Sequence, residues 1–155
     1  MIIVNYLHTV VISGYYEKEQ WQSWADKIIL NNENVQSWIY DVAVAKNKQE
    51  LFDAIAFEKC IEEFSKDTLY WETDVVIGYY YLMYKEDKIT LSQLVEKVTD
   101  EDDASSESRL FDSKEMMDVI NNVKIGRVDL KKIEEFLEPL AQEARKQEDV
   151  LKNYK

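Results

Sequence analysis

Few side chains in this sequence could perform covalent chemistry. The chain has one histidine, His8, and one cysteine, Cys60. Nucleophilic catalysis needs a nucleophile beside a base, and these two residues belong to different predicted elements. Because a buried cysteine behaves as a small hydrophobic residue, we interpret Cys60 as a thiol of the core and His8 as a surface imidazole.

Metal and phosphate sites have no signature in the sequence. Zinc sites need clusters of Cys and His, and di-iron bundles need Glu-x-x-His pairs. Asp100, Asp102 and Asp103 partly match a calcium loop, but the loop glycine is missing and Ala104 stands at a ligand position. No G-x-G-x-x-G motif or P-loop is present. The sequence therefore predicts no enzyme activity, no metal and no cofactor.

Acidic residues are concentrated in one stretch of the chain. Between Glu96 and Asp112 there are seven acids against two bases. One interpretation is a solvated loop. The other is a docking surface for a basic protein, because concentrated charge focuses the local potential and raises association rates. In the second interpretation the candidate contact residues are Asp100, Glu101, Asp102, Asp103 and Glu107.

Three consecutive tyrosines, Tyr79, Tyr80 and Tyr81, precede Tyr84. Successive helical residues are about 100° apart, so the three cannot all face one core. At least one must point toward a second packing layer or outward. The alternatives are packing with the hydroxyls satisfied at the rim and contact with a partner, because tyrosine is frequent at binding hot spots. Tyr80 and Tyr84 are the candidate partner contacts.

The apolar spacing of the first 45 residues predicts a series of helices. Residues 3–12 have apolar side chains at i, i+3, i+4, i+7 and i+8, although their β-branched content is typical of a strand. We predict a helix there, with Gly14 at its end. Helices are also predicted over 17–30, ended by the Asn-rich run 31–34, and over 38–45.

Two further helices are predicted between residues 48 and 84. Asn47 and Glu50 form a capping pair that opens a helix over 48–64. Residues 74–84 are apolar almost all round, which is typical of the buried centre of a bundle, with a central strand as the alternative. The predicted inner face of the helix over 48–64 consists of Phe57, Cys60, Ile61 and Phe64.

Capping signals predict two shorter helices in the second half. Thr90 and Gln93 match a capping box in front of an amphipathic stripe that ends at Val98. Asp112 with Glu115 begins another helix. Its predicted inward residues are Met116, Val119, Ile120 and Val123.

The last predicted helix begins at Asp129. Pro139 is predicted to end or kink it, because proline lacks the N–H group and clashes with the preceding turn. The charged tail from about residue 142 is predicted to fray. The predicted stripe consists of Leu130, Ile133, Leu137 and Leu140.

Length and composition predict one all-α domain over residues 1–155. Three glycines and one proline are too few for the turns of an all-β fold, and 46% hydrophobic residues suffice for a full core. We expect a multi-helix bundle or a short helical-hairpin array with a Tyr-rich buried helix at its centre.

Charge and cysteine content exclude several classes of protein. One cysteine cannot form an internal disulfide, and no run reaches the ~18 apolar residues of a membrane span. The apolar N-terminus lacks the basic region of a signal peptide. A net charge of −12 argues against a nucleic-acid ligand. We therefore expect a cytoplasmic protein that binds neither nucleic acid nor membrane.

Three stretches carry a resemblance to a known class of protein: YYEKEQWQSWADKIILNN, SWIYDVAVAKNKQELFDAI and IGYYYLMYKEDKITLSQLVEKVTDEDD. This region resembles small acidic bacterial immunity proteins of polymorphic-toxin and contact-dependent inhibition systems. The resemblance implies a compact, mainly helical, cytoplasmic protein that binds a cognate toxin, often a nuclease. It supplies no catalytic or contact residue that can be carried over.

Charge and resemblance together predict a binding protein that neutralises a basic toxin by stoichiometric blockade. The alternative is a helical scaffold or regulatory interaction module, which the series of short helices favours. An enzyme that uses carboxylates alone is a third interpretation. The oligomeric state is left open.

Overall fold

The computed structural model describes residues 3–63, 72–99 and 114–155. Over these ranges the chain forms eight α-helices and no strand, so the predicted all-α, multi-helix fold is confirmed. The helices are α1 (Ile3–Ile12), α2 (Lys18–Asn31), α3 (Ser37–Val44), α4 (Lys48–Glu63), α5 (Glu72–Lys85), α6 (Leu91–Val98), α7 (Lys114–Lys124) and α8 (Leu130–Lys152).

The chain divides into two compact units. Unit 1 comprises Met1–Asp67 and Gln147–Lys155, and unit 2 comprises Thr68–Lys146. Helix α8 therefore contributes its first part to unit 2 and its last turns to unit 1. Within the described ranges, none of the helices is both long enough and apolar enough to cross a bilayer.

Helix α1 confirms the helical alternative for the first element. Leu7, Val10 and Val11 are fully buried, and α1 packs on α4. Burial of one complete stripe outweighs the weak preference of β-branched residues for strands. Gly14 follows the helix with φ +80°, a conformation that glycine adopts without strain, so the predicted end is also confirmed.

Helices α2 and α3 pack on each other through tryptophans. The indole N–H of Trp21 donates to the carbonyl of Ala45 at 3.2 Å, just beyond the end of α3. The rings of Trp24 and Trp38 lie 6.1 Å apart. Helix α2 ends at Asn31, within the Asn-rich run that was predicted to break it.

Helix α4 is rotated relative to the prediction. Phe57 is 74% exposed and Ile61 is 53% exposed, and Cys60 is also exposed, so the predicted inner face and the core thiol are wrong. Phe64 lies outside the described residues. The fully buried residues of α4 are instead Leu51 and Ile55.

Glu62 gives the physical reason for this rotation. Its carboxylate is buried and accepts the backbone N–H groups of Val4 at 3.1 Å and Asn5 at 2.9 Å. These donors belong to the first turn of α1 and have no partner within their own helix. At about 100° per residue, Glu62 lies on the same side of α4 as Ile55. Because that side faces the core, Phe57 is directed to solvent.

Helix α5 lies in unit 2 and is the buried, Tyr-rich helix that was predicted. Residues 74–82 are all buried, and the three consecutive tyrosines are buried together. A Cβ atom built on Gly78 would lie 2.5 Å from the carbonyl carbon of Leu140. Such a close approach between the backbones of α5 and α8 requires a residue without a side chain.

Helices α6 and α7 complete unit 2 with aliphatic faces. The capping box of α6 is confirmed, because Gln93 N–H donates to Thr90 Oγ1 and Thr90 N–H donates to Gln93 Oε1. Val98, Val119 and Ile120 are buried as predicted. Asp112 and the side chains of Glu115 and Met116 lie outside the described residues.

Helix α8 is longer than predicted. It begins after Asp129, whose carboxylate accepts the N–H of Lys132 at 3.2 Å. It continues through Pro139 to Lys152. Of the predicted end or kink at Pro139, the helix end is therefore wrong, and residues 142–152 are helical where a frayed tail was predicted. Leu130 was predicted to be buried and is 54% exposed, whereas the other three residues of the stripe are buried.

Packing explains why α8 continues. Proline in a helix interior costs about 3 kcal/mol. On its C-terminal side, Ala141, Ala144 and Leu151 are fully buried, which offsets this cost. Arg145 also donates to the carboxylate of Glu138 at 3.0 Å, which links the turns on the two sides of Pro139.

Candidate functional site

A cleft lies in unit 1, beside α2 and the end of α8. Its volume is about 470 Å³. Glu148, whose side chain is mostly buried, accepts a hydrogen bond from the Tyr16 hydroxyl at 3.3 Å. Lys152 forms an ion pair with the same carboxylate oxygen at 2.7 Å. The polar groups at the base of the cleft are thus bonded to one another.

Tyr16 is a hydrogen-bond donor in this cleft. Burial raises the pKa of its hydroxyl well above the ordinary value, and the nearby charge of Glu148 and the hydrogen bond to Glu148 raise it further. The hydroxyl therefore stays protonated at neutral pH. It donates a hydrogen bond to the carboxylate of Glu148.

Two more side chains of α2 fix the end of α8 in unit 1. The indole N–H of Trp24 donates to the carbonyl of Leu151 at 2.9 Å, and Lys27 Nζ donates to the carbonyl of Lys152 at 3.1 Å. The last carbonyls of a helix have no partner within the helix. Trp24 and Lys27 therefore complete the C-terminus of α8, and the cleft is a structural junction within unit 1.

His8 and Cys60 occupy different environments. The ring of His8 is half-buried and packs against Phe52 with 4.8 Å between ring centroids. Cys60 is exposed on α4. Among the residues that the structure describes, no group of three His, Cys, Asp or Glu side chains could hold a metal ion.

The predicted partner contacts are only partly within the structure. The acids Asp100, Glu101, Asp102, Asp103 and Glu107 lie outside the described residues.

The two tyrosines of that prediction are in unit 2. Tyr80 is 4% exposed and offers little surface to a partner. Lys97 Nζ lies 5.2 Å from the centroid of its ring. Tyr84 is partly exposed and packs against Tyr81, with 6.0 Å between ring centroids. Of the two, only Tyr84 presents surface to solvent.

One exposed surface of unit 1, on α4, combines apolar and acidic side chains. We define the α4 face as Glu50, Asp53, Phe57, Cys60 and Ile61, all of which are exposed. A spacing of three or four residues places them along one side of the helix. An exposed phenylalanine and isoleucine in this arrangement form the kind of patch that marks protein interfaces.

The two acids of the α4 face are held in place. Glu50 Oε2 accepts the backbone N–H of Lys46 at 2.8 Å. Asp53 Oδ1 accepts a hydrogen bond from Gln49 at 2.9 Å. The predicted capping role of Asn47 is confirmed, because its side-chain oxygen accepts the Glu50 N–H at 2.9 Å. The Glu50 carboxylate accepts from the N–H of Lys46, and not from that of Asn47.

The apolar pattern of α4 predicted Phe57, Cys60 and Ile61 in the core, so this face was not found from the sequence. A signal was present: Ile55 and Phe57 are two residues apart and so lie about 200° apart on a helix. The side chains of Ile55 and Phe57 therefore cannot both face the core. The choice between the two stripes depended on Glu62, whose partners are the first residues of α1.

Comparison of the chain with protein-family models, with curated proteins and with solved structures finds no match.

Proposed function

We propose that this chain is a binding protein that neutralises a basic protein toxin by stoichiometric blockade, with no covalent bond made or broken. The observation that carries the proposal is the α4 face, where Phe57 is 74% exposed on a well-packed helix. Large exposed aromatic side chains are typical anchors of protein interfaces.

The α4 face is suited to binding because the helix beneath it is fixed. Leu51 and Ile55 are fully buried, and Glu62 bonds to the first turn of α1. A partner would therefore meet Phe57 in a position that is already ordered. Binding then loses little conformational entropy, which is the main advantage of a preorganised surface.

Charge favours a basic partner. The chain carries a net charge of −12, and Glu50 and Asp53 lie on the α4 face itself. The overall charge attracts a cationic protein from a distance, and the two carboxylates select cationic side chains at contact. The class of partner, a cognate toxin, comes from the resemblance of the sequence to bacterial immunity proteins.

The proposal is tested by capture followed by a functional assay. A tagged chain is expressed in its native cell, the retained protein is identified by mass spectrometry, and that protein is then produced with and without this chain. We expect a basic protein that arrests growth alone and not on co-expression.

Phe57→Ser should abolish the protection, and Leu30→Ser is the matched control because Leu30 is 84% exposed elsewhere in unit 1. Equal protection by Phe57→Ser would exclude the α4 face. A retained protein that is harmless to cells would favour the scaffold interpretation.

A further inference from the structure

The turn between α7 and α8 has a charge opposite to that of the chain as a whole. Residues 124–132 contain four cations and one acid, a net charge of +3 in a chain of net charge −12. The acid, Asp129, is already used as the cap of α8. The cations are Lys124, Arg127, Lys131 and Lys132.

The same turn exposes three aliphatic side chains. Ile125 is 68% exposed, Val128 is 47% exposed and Leu130 is 54% exposed. We call residues 124–132 the basic turn. Isolated exposed aliphatic residues are ordinary, but three within six residues form a local apolar patch with positive charge around it.

The basic turn has a defined shape although it is exposed. Gly126 N–H donates to Val123 O at 3.1 Å, and Arg127 N–H donates to Asn122 O at 2.7 Å. These two bonds form a Schellman motif, which ends α7. Gly126 has φ +82°, with nothing within 4 Å of a built Cβ, so its role is conformational. The aliphatic side chains are therefore presented from an ordered backbone.

The basic turn and the α4 face are complementary. One combines cations with exposed Ile125 and Leu130, and the other combines the carboxylates of Glu50 and Asp53 with exposed Phe57. We infer that the basic turn of one copy of this chain docks on the α4 face of a second copy. The contact joins two different surfaces, so a single contact between two copies leaves the α4 face of one copy and the basic turn of the other free.

The carboxylates of the α4 face and the composition of the basic turn favour a second copy, and not a membrane, as the occupant. Anionic lipid attracts basic residues, but it repels a chain of net charge −12. The basic turn also contains no Trp or Tyr, the residues enriched at membrane interfaces. Two copies repel each other at long range as well, yet at about 0.15 M salt this repulsion is screened beyond about 8 Å, whereas contacts persist.

The association should be weak because both surfaces are small. Interfaces below about 1,200 Å² are typical of transient complexes. We therefore expect self-association of the purified chain at about 0.1 mM. This inference concerns the purified chain alone. It can therefore fail while the proposed function stands, and the proposed function can fail while this inference stands.

The test uses two variants of exposed residues and analytical ultracentrifugation. The face variant carries Asp53→Lys and Phe57→Ser, and the turn variant carries Ile125→Ser and Arg127→Glu. Each variant alone should associate at least about tenfold more weakly than the wild type. An equimolar mixture should form a dimer and nothing larger, because only one intact pair of surfaces remains.

Leu30→Ser is the matched control and should associate like the wild type. A wild type that stays monomeric up to about 0.5 mM would overturn the inference. Loss of association in the face variant but not in the turn variant would also overturn it, because the α4 face would then pair with itself. Binding of the wild type, but not of the turn variant, to phosphatidylserine vesicles would assign the basic turn to a membrane instead.

Discussion

Glu62 Oε2 accepts a hydrogen bond from the backbone N–H of Asn5 at 2.9 Å, between residues 57 positions apart in the sequence. This bond and its neighbour at Val4 attach the end of α4 to the start of α1. They also determine which side of α4 faces solvent. The exposure of Phe57, on which the proposed function depends, follows from the position of one buried carboxylate.

Replacement of Glu62 should therefore destabilise unit 1. Glu62→Ala leaves two N–H groups of α1 without a protein partner and should lower the free energy of unfolding by about 2–3 kcal/mol. Urea denaturation measures this change. Glu33→Gln, at an exposed position between α2 and α3, is the control and should change stability by less than about 0.5 kcal/mol. A Glu62→Ala protein as stable as the control would contradict this role.

Gly78→Ala should destabilise unit 2 although alanine is the better helix former. The intrinsic preference favours alanine by about 1 kcal/mol. The added methyl group would lie 2.5 Å from the carbonyl carbon of Leu140, and backbone cannot move as a side chain can. We expect a net loss of about 2 kcal/mol or more, measured by thermal unfolding. An increase in melting temperature would show that α5 and α8 do not approach this closely.

The raised pKa of the Tyr16 hydroxyl predicts a loss of stability in alkaline solution. Burial and Glu148 raise the pKa of its hydroxyl in the folded chain above the value of about 10 in the unfolded chain. As pH rises past about 10, the unfolded chain releases the proton and the folded chain keeps it. Unfolding is then favoured by up to about 1.4 kcal/mol per pH unit.

The check is a comparison of the wild type with Tyr16→Phe. Below about pH 9 the difference in unfolding free energy should be constant, and above about pH 10 it should change in favour of Tyr16→Phe. Parallel stability curves for the two proteins across this range would show that Tyr16 is not buried beside Glu148.

The helices and many of the buried residues could be predicted from the sequence. Local signals specified them: the apolar stripe of α1, the capping box of Thr90 and the all-apolar surface of α5. Each depends on residues within one or two turns, which is the range over which helical periodicity operates. The ends of α1 and α2 were also predictable, because Gly14 and Asn31 are local stop signals.

Two failures of prediction depended on contacts between distant residues. The outward direction of Phe57 depends on Glu62 meeting the first turn of α1. The continuation of α8 past Pro139 depends on burial of Leu151, whose carbonyl accepts from Trp24. Local patterns carry no information about such pairings.

The most direct test of the proposed function is the dissociation constant between this chain and the toxic protein that it retains, measured for the wild type and Phe57→Ser. We predict that Phe57→Ser weakens binding by about 30-fold or more, as removal of an interface anchor does. Its unfolding free energy should stay within about 0.5 kcal/mol of the wild type, because Phe57 is 74% exposed. An unchanged dissociation constant would contradict the assignment of the α4 face as the toxin-binding surface.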